Sequence, residues 1–263
     1  LVNIMLKVIY KVLEKAFFVV LVKKSIITRE KYMSKIAILG YSKLEQSESI
    51  DAYNYYKARG DDVTIYYWEG ITIASDLPTD VTVRLCPNEQ TFEGLDEFDL
   101  IVRGSGIHPR FVKTSKPVTT VYNEFMSQCP APIVGVTGTK GKGTTSTLIA
   151  KILEASGKKV ILAGNIGRPP LSLLPDVTPD SFVVLELSSF QLMDIKYSPH
   201  IGVCLMVVPE HMNWHADMDE YLHAKSNMFA FQKPDDIAVY NLLCKNSKFI
   251  TSASAGSKLG YAV

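Results

Sequence analysis

Residues 133–157 constrain the fold more than any other stretch: the β-branched run IVGVTG passes through GTKGKG into a helical pattern, TTSTLIAKILEAS, closed by Gly157. A strand, a glycine-rich turn and a helix in that order make a phosphate cradle. Glycines let backbone N–H groups face the phosphates, and the helix N-terminus and Lys142 supply positive potential. The candidate ATP loop is therefore Gly138, Thr139, Lys140, Gly141, Lys142, Gly143, Thr144 and Thr145. Its spacing departs from the common GxxxxGK[ST] form. The first glycine lies three residues before Gly141, and Gly143 stands where a Mg²⁺-ligating hydroxyl is usual, so that role passes to Thr144.

A loop of this kind needs a parallel α/β sheet around it, and the rest of the chain supplies the elements. KIAILG, SIDAYNYYKARG and DVTIYYW read as strand, helix and strand, and FDLIVRGSG as a further strand ending in a glycine turn. Pro130 and Pro132 mark a domain boundary. Beyond the loop, KKVILAG, SFVVLELSSF, HIGVCLMVV and DDIAVYN read as strands, with a helix around LSLL and another from about Asp219 to Phe231. The tail from Cys244 has room for one or two edge strands. The expected organisation is an extension over 1–32, a Rossmann-like domain over 33–129, and a P-loop domain with a mostly parallel sheet over 130–263. Met33 opens a clean start, MSKIAILGY, whereas the basic amphipathic segment before it has an uncharged apolar run, AFFVVLV, too short to span a bilayer.

Charge and cysteine usage narrow the function classes. With 28 Lys and Arg against 27 Asp and Glu, the formal charge of +1 gives no electrostatic case for nucleic acid or an acidic membrane. Cys86, Cys129, Cys204 and Cys244 lie too far apart for a zinc motif or a disulfide framework, which points to a reduced, cytoplasmic setting. Gly40 follows a strand, but GYSKLEQSES lacks GxGxxG spacing, so an NAD-type reading is not supported.

Glu186 ends the apolar strand FVVLE. A carboxylate there is costly unless it is paired or binds metal, so Glu186 is either a Mg²⁺ ligand, a partner for a lysine, or a cap for the next helix. Ser188 and Ser189 are helix-capping candidates on their own residue type.

GVTGTKGKGTTS resembles the ATP loop of the Mur ligases and of the related folylpolyglutamate synthases. LELSSFQL is similar to the corresponding string in the glutamate-adding branch of the Mur ligases. The resemblance implies ATP-dependent amide-bond formation, in which a substrate carboxylate becomes an acyl phosphate and an amine displaces phosphate. It implies UDP-N-acetylmuramoyl-L-alanine and D-glutamate as substrates, ATP and Mg²⁺ as cofactors, and a monomer when complete. A sibling Mur ligase, a folylpolyglutamate synthase and a non-catalytic nucleotide-binding module are the alternatives.

Residue by residue, the resemblance assigns Lys142, Glu186, His211 and Lys225 to catalysis. His211, in VVPEHMNWHAD, would join Glu186 as a Mg²⁺ ligand, and Lys225, in YLHAKSNMFAF, would do so as a carbamate formed with carbon dioxide. That chemistry needs a lysine pKa lowered from about 10.4 by burial or by neighbouring cations; the alternative is a solvated helix lysine. Asn165, in AGNIGRPPL, would meet the substrate pyrophosphate, with Ser188, Ser189 and Gln191 in the muramoyl neighbourhood. Ser42 and Lys43 would lie near the UDP phosphates, and Ser105, Gly106 and Ile107 near the uracil. His215 has no counterpart role. The resemblance also implies a third, C-terminal domain that this chain lacks, so that the chain binds rather than ligates.

Overall fold

A computed structural model of the chain describes residues 33–40, 48–68, 81–88 and 90–262. Ser42, Lys43 and the segment 1–32 lie outside these. The chain divides into two compact units. One gathers the described residues from Met33 to Phe125 together with Pro169–Leu174, and the other gathers Met126–Arg168 and the described residues from Pro175 onward.

The first unit holds five strands: β1 (Lys35–Leu39), β2 (Asp62–Trp68), β3 (Thr82–Cys86), β4 (Leu100–Arg103) and β5 (Val118–Thr119). They pair in the order β3-β2-β1-β4-β5, every pair parallel, which is the Rossmann order over its first five strands. Helix α1 (Glu48–Arg59) buries Ser49, Ala52, Tyr53 and Tyr56, one face at helical spacing, carries Lys57 and Arg59 in its last turn, and is followed by Gly60 at φ 86°. Asp51, on the same buried face, accepts from the N–H groups of Leu171 (2.8 Å) and Ser172 (2.7 Å), which holds the 3₁₀ turn Leu171–Asp176 at its start. Helix α2 (Val121–Gln128) leads out of this sheet.

Six strands form the second sheet: β6 (Ile133–Thr137), β7 (Lys159–Gly164), β8 (Ser181–Glu186), β9 (Ile201–Cys204), β10 (Ile237–Asn241) and β11 (Ser257–Tyr261). Their order is β11-β10-β9-β6-β8-β7, again all parallel. β6 and β8 are buried along their whole length, which is why both read as continuous apolar runs instead of alternating ones. After β6 the chain goes out to β7, returns through β8, then crosses to β9. That reversal makes a switch point at the C-terminal end of β6, where ligands of such sheets bind.

Helix α3 (Lys142–Ala155) packs Ile149, Ala150 and Leu153 into the core with Val134, Val136, Phe182 and Val184. Helix α4 (Ser189–Leu192) is a single turn, and α5 (Met218–Ala230) covers β6 and β9 through two glycine notches. A Cβ at Gly202 would lie 2.5 Å from the Phe229 ring, and one at Gly135 would lie 2.7 Å from Pro199 and 3.2 Å from Met228 Sδ.

Two local expectations are corrected. The apolar run HIGVCLMVV is strand only over Ile201–Cys204; beyond it the backbone leaves β10 and turns to the loop, with Leu205 N–H donating to Thr137 O and Thr139 N–H to Met206 O. The tail holds helix α6 (Lys245–Thr251) as well as the edge strand β11, because Ser247, Ile250 and Thr251 recur at helical spacing and face inward.

Replacing Gly202 by Ala is expected to lower stability by about 1–3 kcal/mol through overpacking against Phe229. A urea midpoint equal to that of the parent chain would remove the notch from the account of how α5 is seated.

Candidate functional site

Leaving β6, the chain needs two backbone conformations that favour glycine, Gly138 at φ 148° and Gly141 at φ 85°; a Cβ at 138 would also meet Leu205 Cβ at 2.7 Å. Gly141 is the N-cap of α3 and supplies no side-chain cap. Lys142 bends back over the loop, its Nζ donating to the carbonyls of Gly138 and Thr139 at 3.1 Å each. Thr139 is a latch: its Oγ1 donates to Val208 O (2.9 Å), accepts from Val208 N–H (3.0 Å) and sits 3.0 Å from the Tyr221 hydroxyl. Lys140 pairs with Glu210 and holds that carboxyl below its ordinary value. Thr144 is exposed on the first turn of α3.

Glu186 is 3% exposed at the end of β8. Asn165 Nδ2 donates to its Oε1 at 3.1 Å, and the Asn165 N–H donates to its carbonyl at 3.0 Å. That close approach depends on Gly164, where a Cβ would fall 2.2 Å from Glu186 O. Glu186 Oε2 is buried and has no hydrogen-bond partner among the described residues. A Cβ at Gly143 would sit 3.2 Å from it, so the glycine that replaces the usual loop hydroxyl makes room for this oxygen. A buried, unpartnered carboxylate oxygen beside a phosphate-type loop fits a cation.

Lys225 is 1% exposed, which overturns the solvated-lysine alternative. Its Nζ donates to Gly138 O (3.2 Å) and Thr137 Oγ1 (3.4 Å) and lies 4.7 Å from the centre of the Tyr221 ring. Burial first, and the nearby Lys142 charge second, bring its pKa down to about 7. A substantial neutral fraction at neutral pH follows.

His211 is 44% exposed and, among the described residues, is the non-glycine residue at positive φ, 61°. Its ring centre lies 4.8 Å from that of Phe190, and its Nε2 is 3.7 Å from Glu210 Oε2. Among the described residues no hydrogen bond joins it to Glu186 or Lys225, and no three His, Cys, Asp or Glu side chains gather into a metal cage. A Mg²⁺ ion here would depend on phosphate oxygens for much of its shell, which is its usual habit.

The three uncharged polar residues of LELSSFQL are occupied in fixing the turn after Glu186. Ser188 and Gln191 form a capping box at the start of α4, with Ser188 N–H donating to Gln191 Oε1 at 2.8 Å. Ser189 Oγ is 2.9 Å from His215 Nε2. In the other unit, Ser105 donates through N–H (2.9 Å) and Oγ (2.6 Å) to Glu48, and buried Arg103 braces the turn through the carbonyls of Gly104, Ser105 and Ile107. Gly106 faces open space.

The loop, Glu186, Asn165 and Lys225 are thus brought together, while His211 is linked to the loop through Glu210, the partner of Lys140. Sequence reasoning missed Tyr221, Arg103 and Glu48. Tyr221 had a usable signal, standing four residues before Lys225 on the same helix face.

Sheet order, loop and buried polar groups define a parallel α/β protein with a P-loop at its switch point. Residues 136–262 match the Mur ligase middle domain, which assigns that part of the chain to the Mur ligase family. The UDP-N-acetylmuramoylalanine--D-glutamate ligase of Clostridium kluyveri is 41% identical over 68% of this chain and 39% of its own length, and that of Clostridium tetani is 36% identical over 66% and 40%. The chain spans about two fifths of the length of these relatives. The fold is similar to that of the Neisseria meningitides UDP-N-acetylmuramate:L-alanyl-gamma-D-glutamyl-meso-diaminopimelate ligase, with a TM-score of 0.56 at 17% identity over 87% of this chain and 78% of that one. No helix among the described residues is long and apolar enough to cross a membrane.

Lys225→Met tests the buried ammonium. Unfolded, the lysine titrates near 10.4; folded, near 7. The burial penalty is therefore full below about pH 7 and shrinks as pH rises toward the unfolded value. The variant should be more stable than the parent at pH 6, with the gap narrowing by pH 9 in urea titrations; an equal gap at both would sink the assignment.

Proposed function

We propose that the chain takes part in ATP-dependent amide-bond formation, joining D-glutamate to UDP-N-acetylmuramoyl-L-alanine through an acyl phosphate in cytoplasmic cell-wall precursor synthesis. The observation that carries this reading is the meeting of Lys142 and Lys225 on the Gly138 carbonyl, with the unpartnered Glu186 oxygen against Gly143 of the same loop. The names of the relatives from Clostridium support the substrates.

In this reading Gly138–Thr145 holds the ATP phosphates, and Lys142 leaves the loop carbonyls to follow the γ-phosphoryl charge. The loop N–H groups then face negative oxygens instead of water, and the work is positioning and charge neutralisation. Thr144, Glu186, His211 and Lys225 as a carbamate would hold Mg²⁺, which would neutralise charge on the transferring phosphoryl group. Lys225 reacts through its neutral amine: the ammonium first gives a proton to solvent, nitrogen then bonds to the carbon of carbon dioxide, a second proton leaves to solvent, and what was a cation beside Gly138 becomes an anion. The substrate carboxylate attacks the γ-phosphorus with ADP leaving, and the D-glutamate amine then attacks the acyl carbon with phosphate leaving. The Rossmann-like domain over 33–129 takes the UDP portion through Ser42, Lys43, Ser105 and Gly106. Asn165, Ser188, Ser189 and Gln191 border the diphosphate and muramoyl side of the 130–263 domain.

Two measurements on this chain test the proposal. Lys142→Ala should weaken ATP binding at least about tenfold by calorimetry, the loss of a charge-assisted contact; equal affinity removes the loop from the function. Equilibration with ¹³C-bicarbonate should give a carbamate carbon resonance that Lys225→Met lacks, and its absence from the parent chain would discard the modified lysine.

A further inference from the structure

His215 takes no part in the chemistry above, yet its side chain is 0% exposed. Phe190 stacks on it at an interplanar angle of 3° with ring centres 5.8 Å apart, and Trp214 and Tyr221 meet it edge-on at 4.7 and 5.2 Å. An imidazole walled by three aromatic rings is costly to bury unless its nitrogens have partners. Nε2 lies 2.9 Å from Ser189 Oγ, and Nδ1 faces Glu220 Oε2 at 3.5 Å. A proton on Nδ1, toward the carboxylate, leaves Nε2 to accept the Ser189 hydroxyl. Glu220 is itself fixed, accepting from Ala216 N–H at 2.7 Å while its own N–H donates to the α5 cap Asp217 at 2.8 Å.

The opposite end of α4 is held from the same helix. Asn227 Nδ2 donates to the carbonyls of Leu192 and Met193 at 3.0 Å each. The single turn after Glu186 is therefore pinned at both ends by α5 and the turn that leads into it, and α5 also carries Lys225 and the Tyr221 that latches Thr139. One rigid element sets the spacing of loop, lysine and carboxylate.

We propose that His215, oriented by Glu220, is a positioning residue: through Ser189 it locks the turn that follows Glu186 onto α5 and so fixes the Glu186 carboxylate against the phosphate loop. The part of this that concerns Glu186 rests on the function proposed above. Supporting groups behind a metal-binding carboxylate typically change metal affinity by about 10- to 100-fold when removed. A Phe at 215 would keep the aromatic packing and lose the bond, while Gln can present a nitrogen or oxygen where Nε2 stands.

The test compares the complete chain with its His215→Phe, His215→Gln and Ser189→Ala variants. Hydrogen exchange of the amides from Leu187 to Met193, followed without ligand, should accelerate in His215→Phe and Ser189→Ala and stay near the parent rate in His215→Gln, with β9 amides unchanged in all three. The gain in ATP affinity on adding Mg²⁺ should fall about 10- to 100-fold in His215→Phe and Ser189→Ala and be restored in His215→Gln, while ATP affinity without Mg²⁺ stays constant in His215→Phe. Parent-like exchange in His215→Phe and Ser189→Ala, or an unaltered Mg²⁺ gain in them, overturns the inference. A parent chain that shows no Mg²⁺ gain at all overturns the proposed role of Glu186 instead, whatever the exchange rates.

Discussion

Two lysines donate to one carbonyl oxygen, that of Gly138, and much of the surrounding architecture follows from allowing them to do so. Lys142 reaches it from the first turn of α3, and Lys225 from the middle of α5. The carbonyl can face both because Gly138 adopts a conformation that side chains rarely take, with Leu205 packed where a Cβ would be. Burial strips the Lys225 ammonium of its hydration, and the Lys142 ammonium on the same carbonyl repels it, so the more buried of the two gives up its proton more readily. The lowered pKa of Lys225 is thus a consequence of where α5 sits.

Where α5 sits is a matter of glycines in strands. Gly135 in β6 and Gly202 in β9 give the helix its closest approach to the sheet, through Met228 and Phe229. Glycine inside a strand weakens the strand, and here that cost is offset by seating a lysine beside the loop. Gly143 and Gly164 do the same for Glu186, one leaving space for the carboxylate and the other letting backbone meet backbone. The result is a charged cluster held with little freedom, the condition under which electrostatic positioning acts.

The parts of this cluster that follow from local pattern were legible in the sequence. A β-branched strand entering glycines and a helix reads as a phosphate loop, and a carboxylate ending an apolar strand announces its own cost. Lys225 was identified through resemblance, but its burial could not be read because it depends on the glycine notches opposite it. Asn165 and Glu186, 21 residues apart, and Ser189 and His215, 26 apart, meet through the strand order β9-β6-β8-β7, which no local periodicity encodes. The tail helix was missed because a short amphipathic helix and an edge strand offer similar apolar content over seven residues.

The two sheets use similar devices at the same end and arrive at opposite electrostatics. Each has a central strand closing on a glycine at positive φ, Gly40 after β1 and Gly138 after β6, and each has a second glycine pressed against neighbouring backbone, Gly104 on Leu39 and Gly164 on Glu186. After β6 the exposed donors are joined by two lysines, so polyphosphate is the natural occupant. After β4 the turn at Ser105 already satisfies a carboxylate, that of Glu48, and is braced from beneath by the Arg103 guanidinium through carbonyls alone. A turn arranged in that way disfavours a phosphate, which would have to displace a carboxylate from the same N–H.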